Sequence, residues 1–177
     1  MTLRTFEDID PYIDDDAYVD PAAVVIGDVA LGAQSSAWPQ SVLRGDVNII
    51  RVGERTNIQD GAIVHVTHDG EFSPGGFATT IGNDVTIGHR AIVHACTIED
   101  RVLIGMGAIV MDAAVLRNDV MLGAGALVPP GRELESGWLY VGSPARAARE
   151  LTDEEYRMLQ YSARHYTEVA ARHAAAG

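Results

Sequence analysis

The chain has 177 residues and a formal charge of −12, with 47% hydrophobic residues, 18 glycines, one cysteine and no lysine among its thirteen basic residues. That length makes one ordinary domain able to bury a core, and the acidic balance argues against nucleic acid or an anionic membrane as partner. No apolar run approaches the roughly 20 residues of a membrane span, and the acidic opening "MTLRTFEDIDPYIDDD" lacks the apolar segment of a signal peptide. One cysteine excludes an internal disulfide, so a cytoplasmic protein is expected.

From the N-terminus onward the sequence beats in sixes. Ile13, Val19, Val25, Leu31, Ala37, Leu43 and Ile49 follow at that interval, then Val52, Ile58 and Val64, then Ile81, Ile87 and Val93. After a slip of one the series runs Ile98, Ile104, Val110, Leu116, Leu122, Val128. Small or β-branched residues sit four places after most of these, as at Ala23, Val47, Thr56, Ala62, Ala91 and Ala108. Glycine often follows the aliphatic directly, as at Gly53, Gly82, Gly88, Gly105 and Gly123. A period of six fits neither a helix nor a lone strand. It fits an all-β solenoid of parallel strands with three short flat faces, aliphatics stacked inward and glycine at tight corners. Three hexads per coil give about six coils over residues 1–132, with 69–80 an inserted loop and three extra residues at 49–51.

Beyond the repeat, residues 133–150 are rich in turn formers and read as a linker. Residues 151–177 then read as a C-terminal helix packing on the β-helix. It opens with the capping box Thr152-x-x-Glu155 and carries an apolar stripe at Leu151, Tyr156, Leu159, Ala163, Tyr166 and Ala170. His165 and His173, on this helix, read as surface residues, and Cys96 as a small core residue rather than a nucleophile.

Stacking the hexads aligns Arg44, His65 and His94 in one outward column, each just after an inward aliphatic. Successive coils lie about 4.8 Å apart, so His65 and His94 reach a single ion together. His89 shares a different column with Asp60 and cannot join them within one chain. Around a three-fold axis, however, the His65/His94 column of one subunit faces the His89 column of the next. Three protein ligands with an open position make a catalytic metal site, and the same register sets Arg44 against Asp60 of the neighbour as an interface ion pair. Three imidazoles suit a divalent metal, Zn2+ first, with Fe2+ or Co2+ as alternatives. Gln59, pointing outward, either orients a metal-bound water or is simply solvated.

These residues carry a resemblance. "RGDVN" (44–48), "TNIQDGAIVH" (56–65), "GHRAIVHACTI" (88–98) and "LYVGSPAR" (139–146) resemble the γ-class carbonic anhydrases and their bacterial homologues, over nearly the whole chain. The resemblance implies a left-handed parallel β-helix of hexapeptide repeats and a homotrimer with metal shared between subunits. It implies His65, His89 and His94 as ligands, Gln59 beside the nucleophilic water, Arg44 and Asp60 as the interface pair, and Asn57 and Tyr140 as pocket residues. The activity implied is that of a lyase, the reversible hydration of CO2 to bicarbonate by a metal-bound hydroxide. Two departures bear on its speed: Val47 stands where strongly active members carry glutamate, and His68 stands in a short loop where they carry a proton-shuttling glutamate. His68 either carries protons in that place, as histidine side chains do near neutral pH, or is a loop residue with no catalytic part. Hydrolysis of acyl-CoA thioesters at the same centre is the alternative, with hexapeptide acyl transfer and a non-enzymatic structural subunit as further possibilities.

Overall fold

The computed structural model describes residues 2–176, and in it the six-residue beat becomes a parallel β-solenoid with three faces. The first face stacks Thr2–Arg4, the leading parts of Val24–Leu31 and Val42–Val52, then Ile63–His65, Ile92–His94, Ile109–Val110 and Leu127–Val128. The second stacks Tyr12–Ile13, the trailing parts of the same two long strands, then Thr79–Ile81, Thr97–Ile98, Val115–Leu116 and Glu133–Leu134. The third stacks Tyr18–Val19, Ser36–Ala37, Asn57–Ile58, Thr86–Ile87, Leu103–Ile104, Met121–Leu122 and Trp138–Val141. Each face thus has one rung more than the six coils expected: residues 133–141 belong to the solenoid and not to a linker, adding a rung to the second and third faces, and Thr2–Arg4 adds one to the first. Arg146–Glu150 then doubles back antiparallel on Trp138–Val141. The fold is the hexapeptide-repeat left-handed β-helix.

The inward aliphatics fill the bore. Leu43, Val64, Val93, Val110 and Val128 lie fully buried in one continuous core with Ile58, Ile87, Ile104 and Leu122. Each such side chain contributes on the order of 1.5–3 kcal/mol by leaving water. At one point the sequence reading slips: Ile50 is 0% exposed while Ile49 is 37% exposed. Pairing steps from Gly27 opposite Gly45 to Val29 opposite Ile50, so the extra residues lie between Gly45 and Ile50 and not at 49–51. The bulge also lifts Val47 out to 46% exposure. The expected loop at 69–80 likewise ends sooner, since Thr79–Ile81 is already a rung paired with both neighbouring coils.

Glycine at the corners serves a different purpose from the one expected. Many left-handed turns are held by other residues, among them Arg55, Asp84, Arg90, Ala95 and Arg101. The glycines that follow the inward aliphatics are there because neighbouring coils touch: a Cβ on Gly105 would stand 2.5 Å from the Ala124 amide nitrogen, and one on Gly88 would stand 2.8 Å from the Ile104 carbonyl oxygen.

The helix α1, Asp153–Ala176, lies along the third face against the rungs at Tyr18–Val19, Ser36–Ala37, Asn57–Ile58 and Thr86–Ile87. Its capping box forms as expected: the Thr152 amide donates to Glu155 Oε2 at 2.9 Å and the Glu155 amide to Thr152 Oγ1 at 3.3 Å. Of the expected stripe, Leu151, Leu159, Ala163 and Ala170 are buried, while Tyr156 stays largely exposed. His173 is not a bare surface residue, since its ring packs edge-on against Trp38 at 5.1 Å. Among the described residues, no helix is long and apolar enough to cross a membrane.

Candidate metal centre

Ile63–His65 and Ile92–His94 are adjacent rungs in register, which sets His65 directly beside His94. The two rings approach so that His65 Nδ1 and His94 Nε2 are 3.1 Å apart. Their other nitrogens are each held by a carboxylate: His65 Nε2 meets Asp46 Oδ1 at 3.1 Å, and His94 Nδ1 meets Asp112 Oδ1 at 2.7 Å. The carboxylates are themselves fixed, Asp46 by Arg44 Nη1 at 2.5 Å and Asp112 by the Thr67 hydroxyl at 2.5 Å. Asp46 comes from the bulge after Gly45, so the irregularity in the beat is what brings it over the histidine column.

The electrostatics follow from burial. Burial pushes the His65 imidazole below its usual range, opposed by its bond to Asp46 and reinforced by the Arg44 charge. Burial thus favours the neutral ring, the form that can donate a lone pair. Burial by itself would raise the Asp46 and Asp112 carboxyls, but hydrogen bonds outweigh it, and both lie below the ordinary carboxylate range. The bonds come from Arg44 and His65 to Asp46, and from Thr67 and His94 to Asp112.

His89 sits on another corner, where its Nδ1 meets Asp60 Oδ2 at 3.0 Å. Among the described residues, no three ligand-type side chains of this one chain gather around a common point. The structure brings His65 and His94 together and keeps His89 apart, as the column alignment requires for a single chain. Arg44 is satisfied within the chain by Asp46, and Asp60 by His89.

Gln59 and His89 share a groove of about 400 Å3 whose walls include Leu103, Met106, Met121 and Leu139. Asn57 is buried behind it and accepts from Gln59 Nε2 at 3.0 Å. His68 is exposed on the excursion after His65, and its carbonyl oxygen accepts from Ser73 Oγ at 2.8 Å. Tyr140 does not join the site. It faces the bore in register with Leu122, and its hydroxyl accepts from the Glu135 amide at 2.8 Å. Cys96 is buried too, which raises its thiol to about 12 and removes it as a nucleophile. A second cavity of about 380 Å3, lined by Asp15, Asp16, Tyr18 and the end of α1, lies among the first coils.

Four residues at the site were missed in the sequence. Asp46 was visible in "RGDVN" but had no role there, and Asp112, together with Thr86 and Ser162, which also line the groove, carried no signal. Their positions depend on which coil or helix turn lies alongside.

A two-histidine column with carboxylate backing on a three-faced β-helix can be compared with known proteins. No protein-family model matches the chain. Protein YrdA of Escherichia coli is 50% identical over 93% of this chain and 89% of its own length. The mitochondrial γ carbonic anhydrase 1 of Arabidopsis thaliana is 47% identical over 98% of this chain, which spans 63% of that longer protein. The crystal structure of a hexapeptide transferase family protein from Anaplasma phagocytophilum superposes with a TM-score of 0.89 at 43% identity, covering 96% of each chain. At 47–50% identity over more than nine tenths of its length, the chain belongs to the γ-carbonic-anhydrase-like family of hexapeptide-repeat proteins.

Proposed function

We propose that the chain is a carbonic-anhydrase-like metalloenzyme that reversibly hydrates CO2 at sites shared between the subunits of a homotrimer. The observation that carries this reading is common to all three histidines. His65, His94 and His89 each have one ring nitrogen bound to a carboxylate, Asp46, Asp112 and Asp60 respectively, and keep the other nitrogen for a cation. A carboxylate behind a ligating imidazole fixes its tautomer and raises its basicity. The 3.1 Å between His65 Nδ1 and His94 Nε2 suits two donors converging on one ion. His89 of a neighbouring subunit completes the set.

A divalent metal held there, with Zn2+ the first choice and Fe2+ or Co2+ next, supplies a Lewis acid that lowers the pKa of water to near 7. The chain's own residues do the rest. Asp46 and Asp112 hold the ligand rings in place. Gln59 presents its amide to the groove beside His89, and Leu103, Met106 and Met121 keep that groove apolar. His68, on the excursion after His65, takes up and releases the proton at its ring. Arg44 and Asp60 pair across the subunit boundary once the chains assemble. The buried, unpaired Cys96 suits a reducing compartment such as the cytoplasm.

The test is stopped-flow CO2 hydration by trimer loaded anaerobically with zinc or iron, its metal content measured. A catalysed rate that vanishes in His94→Ala supports the reading. No rate from fully metallated trimer overturns it. The sharing of ligands is tested separately by mixing His65→Ala with His89→Ala subunits. Metal binding should return in mixed trimers, and its absence after verified mixing rules out a shared site.

A second reading is favoured by the size of the groove, which far exceeds what CO2 needs, and by the transferase name carried by the Anaplasma phagocytophilum structure. In it the same centre acts on an acyl-CoA thioester, by hydrolysis or acyl transfer. Turnover of short acyl-CoAs by the metallated trimer, with no CO2 hydration, would select it.

A further inference from the structure

Behind Gln59 runs a line of polar groups, most of them buried, whose inner members the reading above does not use. Gln59 Nε2 donates to Asn57 Oδ1 at 3.0 Å, Asn57 Nδ2 lies 3.0 Å from Thr86 Oγ1, and Thr86 Oγ1 lies 2.9 Å from Ser162 Oγ on α1. Asn57, Gln59 and Thr86 are all at least 95% buried, where an unmet polar group is costly. The direction of its first two bonds is fixed by chemistry. Asn57 Nδ2 also faces the Val85 carbonyl oxygen at 3.3 Å, which only accepts. The nitrogen of Asn57 must therefore point that way, and its oxygen must point to Gln59. Gln59 is then forced to offer its nitrogen inward, and Thr86 accepts from Asn57, its hydroxyl sharing one further hydrogen bond with Ser162 Oγ in which either oxygen can donate. With Nε2 held inward by Asn57, the opposite end of the Gln59 amide, the acceptor Oε1, is left for the groove it shares with His89.

We propose that Thr86 and Ser162 are positioning residues that lock the Gln59 amide so that Oε1, and never the NH2 group, faces the reacting centre. An acceptor at that point holds a water or hydroxyl group by its proton and turns its lone pair toward the substrate, whereas a donor would tie that lone pair up. Helix α1 is thereby part of the active-site scaffold, through a single hydroxyl anchored on the rung Thr86–Ile87. This inference rests on the placement of the reaction at Gln59 and His89, but the hydrogen-bond lock is measurable without any turnover.

The experiment uses the intact protein labelled with 15N-glutamine. The other glutamines, Gln34, Gln40 and Gln160, are exposed, so a slowly exchanging side-chain amide identifies Gln59. The expected result is protection of that amide in the wild type and in Thr86→Ser, which keeps the hydroxyl. In Thr86→Val, which keeps the shape, exchange should accelerate roughly tenfold or more, with a smaller change in Ser162→Ala. Thermal midpoints of the variants show whether each has folded. Equal protection in Thr86→Val and wild type overturns the lock, and Ser162→Ala reports from the helix side should Thr86→Val fail to fold. In hydration kinetics the lock predicts that Thr86→Val lowers kcat with KM nearly unchanged and that Thr86→Ser restores it. If kcat survives while protection is lost, the positioning role is overturned. If the metallated wild type shows no hydration but the amide behaves as expected, the proposed reaction fails and the lock stands.

Discussion

Two edges of the solenoid behave differently. The corner that leads from the third face to the first is regular in every coil through the site: Ile58 to Val64 and Ile87 to Val93 are each six residues. The corner that leads from the first face to the second is irregular in three consecutive coils. It carries the bulge between Gly45 and Ile50, then the excursion between His65 and Thr79, then a corner after His94 one residue shorter than the six-residue step elsewhere. Farther on the beat is strict again, with Thr97 opposite Val115 and Val115 opposite Glu133. All three irregular turns directly follow members of the Arg44, His65, His94 column. Regular coils stack, and one of them supplies Asp112; the departures from the repeat carry Asp46 and a loop to the histidines. His89, by contrast, needs no departure, because a straight corner suffices for the single outward imidazole that the proposed trimer requires.

The comparison can be broken or sharpened by measurement. Replacing a proposed ligand on either edge should have the largest effect: His94→Ala and His89→Ala are each expected to leave the purified protein without stoichiometric metal and without catalysed hydration, by elemental analysis and stopped flow. If His89→Ala retains full metal, the regular edge is not part of the centre. Asp46→Ala, on the irregular edge, should lower metal affinity by about 10- to 100-fold while leaving the thermal midpoint of the metal-free protein nearly unchanged, since Asp46 orients His65 and holds no coil together.

Gly105→Ala, on the regular edge, should do the reverse. Its Cβ would stand 2.5 Å from the Ala124 amide nitrogen, so the coils must part at a cost of about 1–3 kcal/mol in denaturant unfolding, with metal content kept. The smallest effect is expected at the helix that covers the third face. Arg149, and then the Thr152 amide, hold Glu155 down to about 2 from an ordinary 4.5. A carboxyl with a lowered folded-state pKa stabilises fully above the unfolded value and loses that contribution as pH falls toward the folded one. Helical circular dichroism should therefore become less heat-stable between pH 5 and pH 2, and Glu155→Gln should flatten that dependence.

Much of this was legible in the sequence. The inward column, the alignment of His65 with His94 and the separation of His89 follow from counting in sixes, because a solenoid makes neighbours of residues one coil apart. The capping box at Thr152 and Glu155 was equally local. What counting could not supply was the placement of the extra residues. Ile49 keeps the beat and Ile50 does not, yet Ile50 is buried, since a bulge can be absorbed at any point along a turn and only packing chooses where. Tyr140 lies in a motif shared with the family, yet it packs in the bore, out of reach of the groove.

The sequence by itself determined the repeat, the three faces, the metal-type column and the helix, because each depends on a period or on residues a few positions apart. Only the tertiary structure decided that Asp46 and Asp112 back the two histidines, and that Thr86 and Ser162 stand behind Gln59. Those partners come from the bulge, the next coil and the covering helix, and hydrogen-bond geometry between separate elements has no periodic trace in the chain.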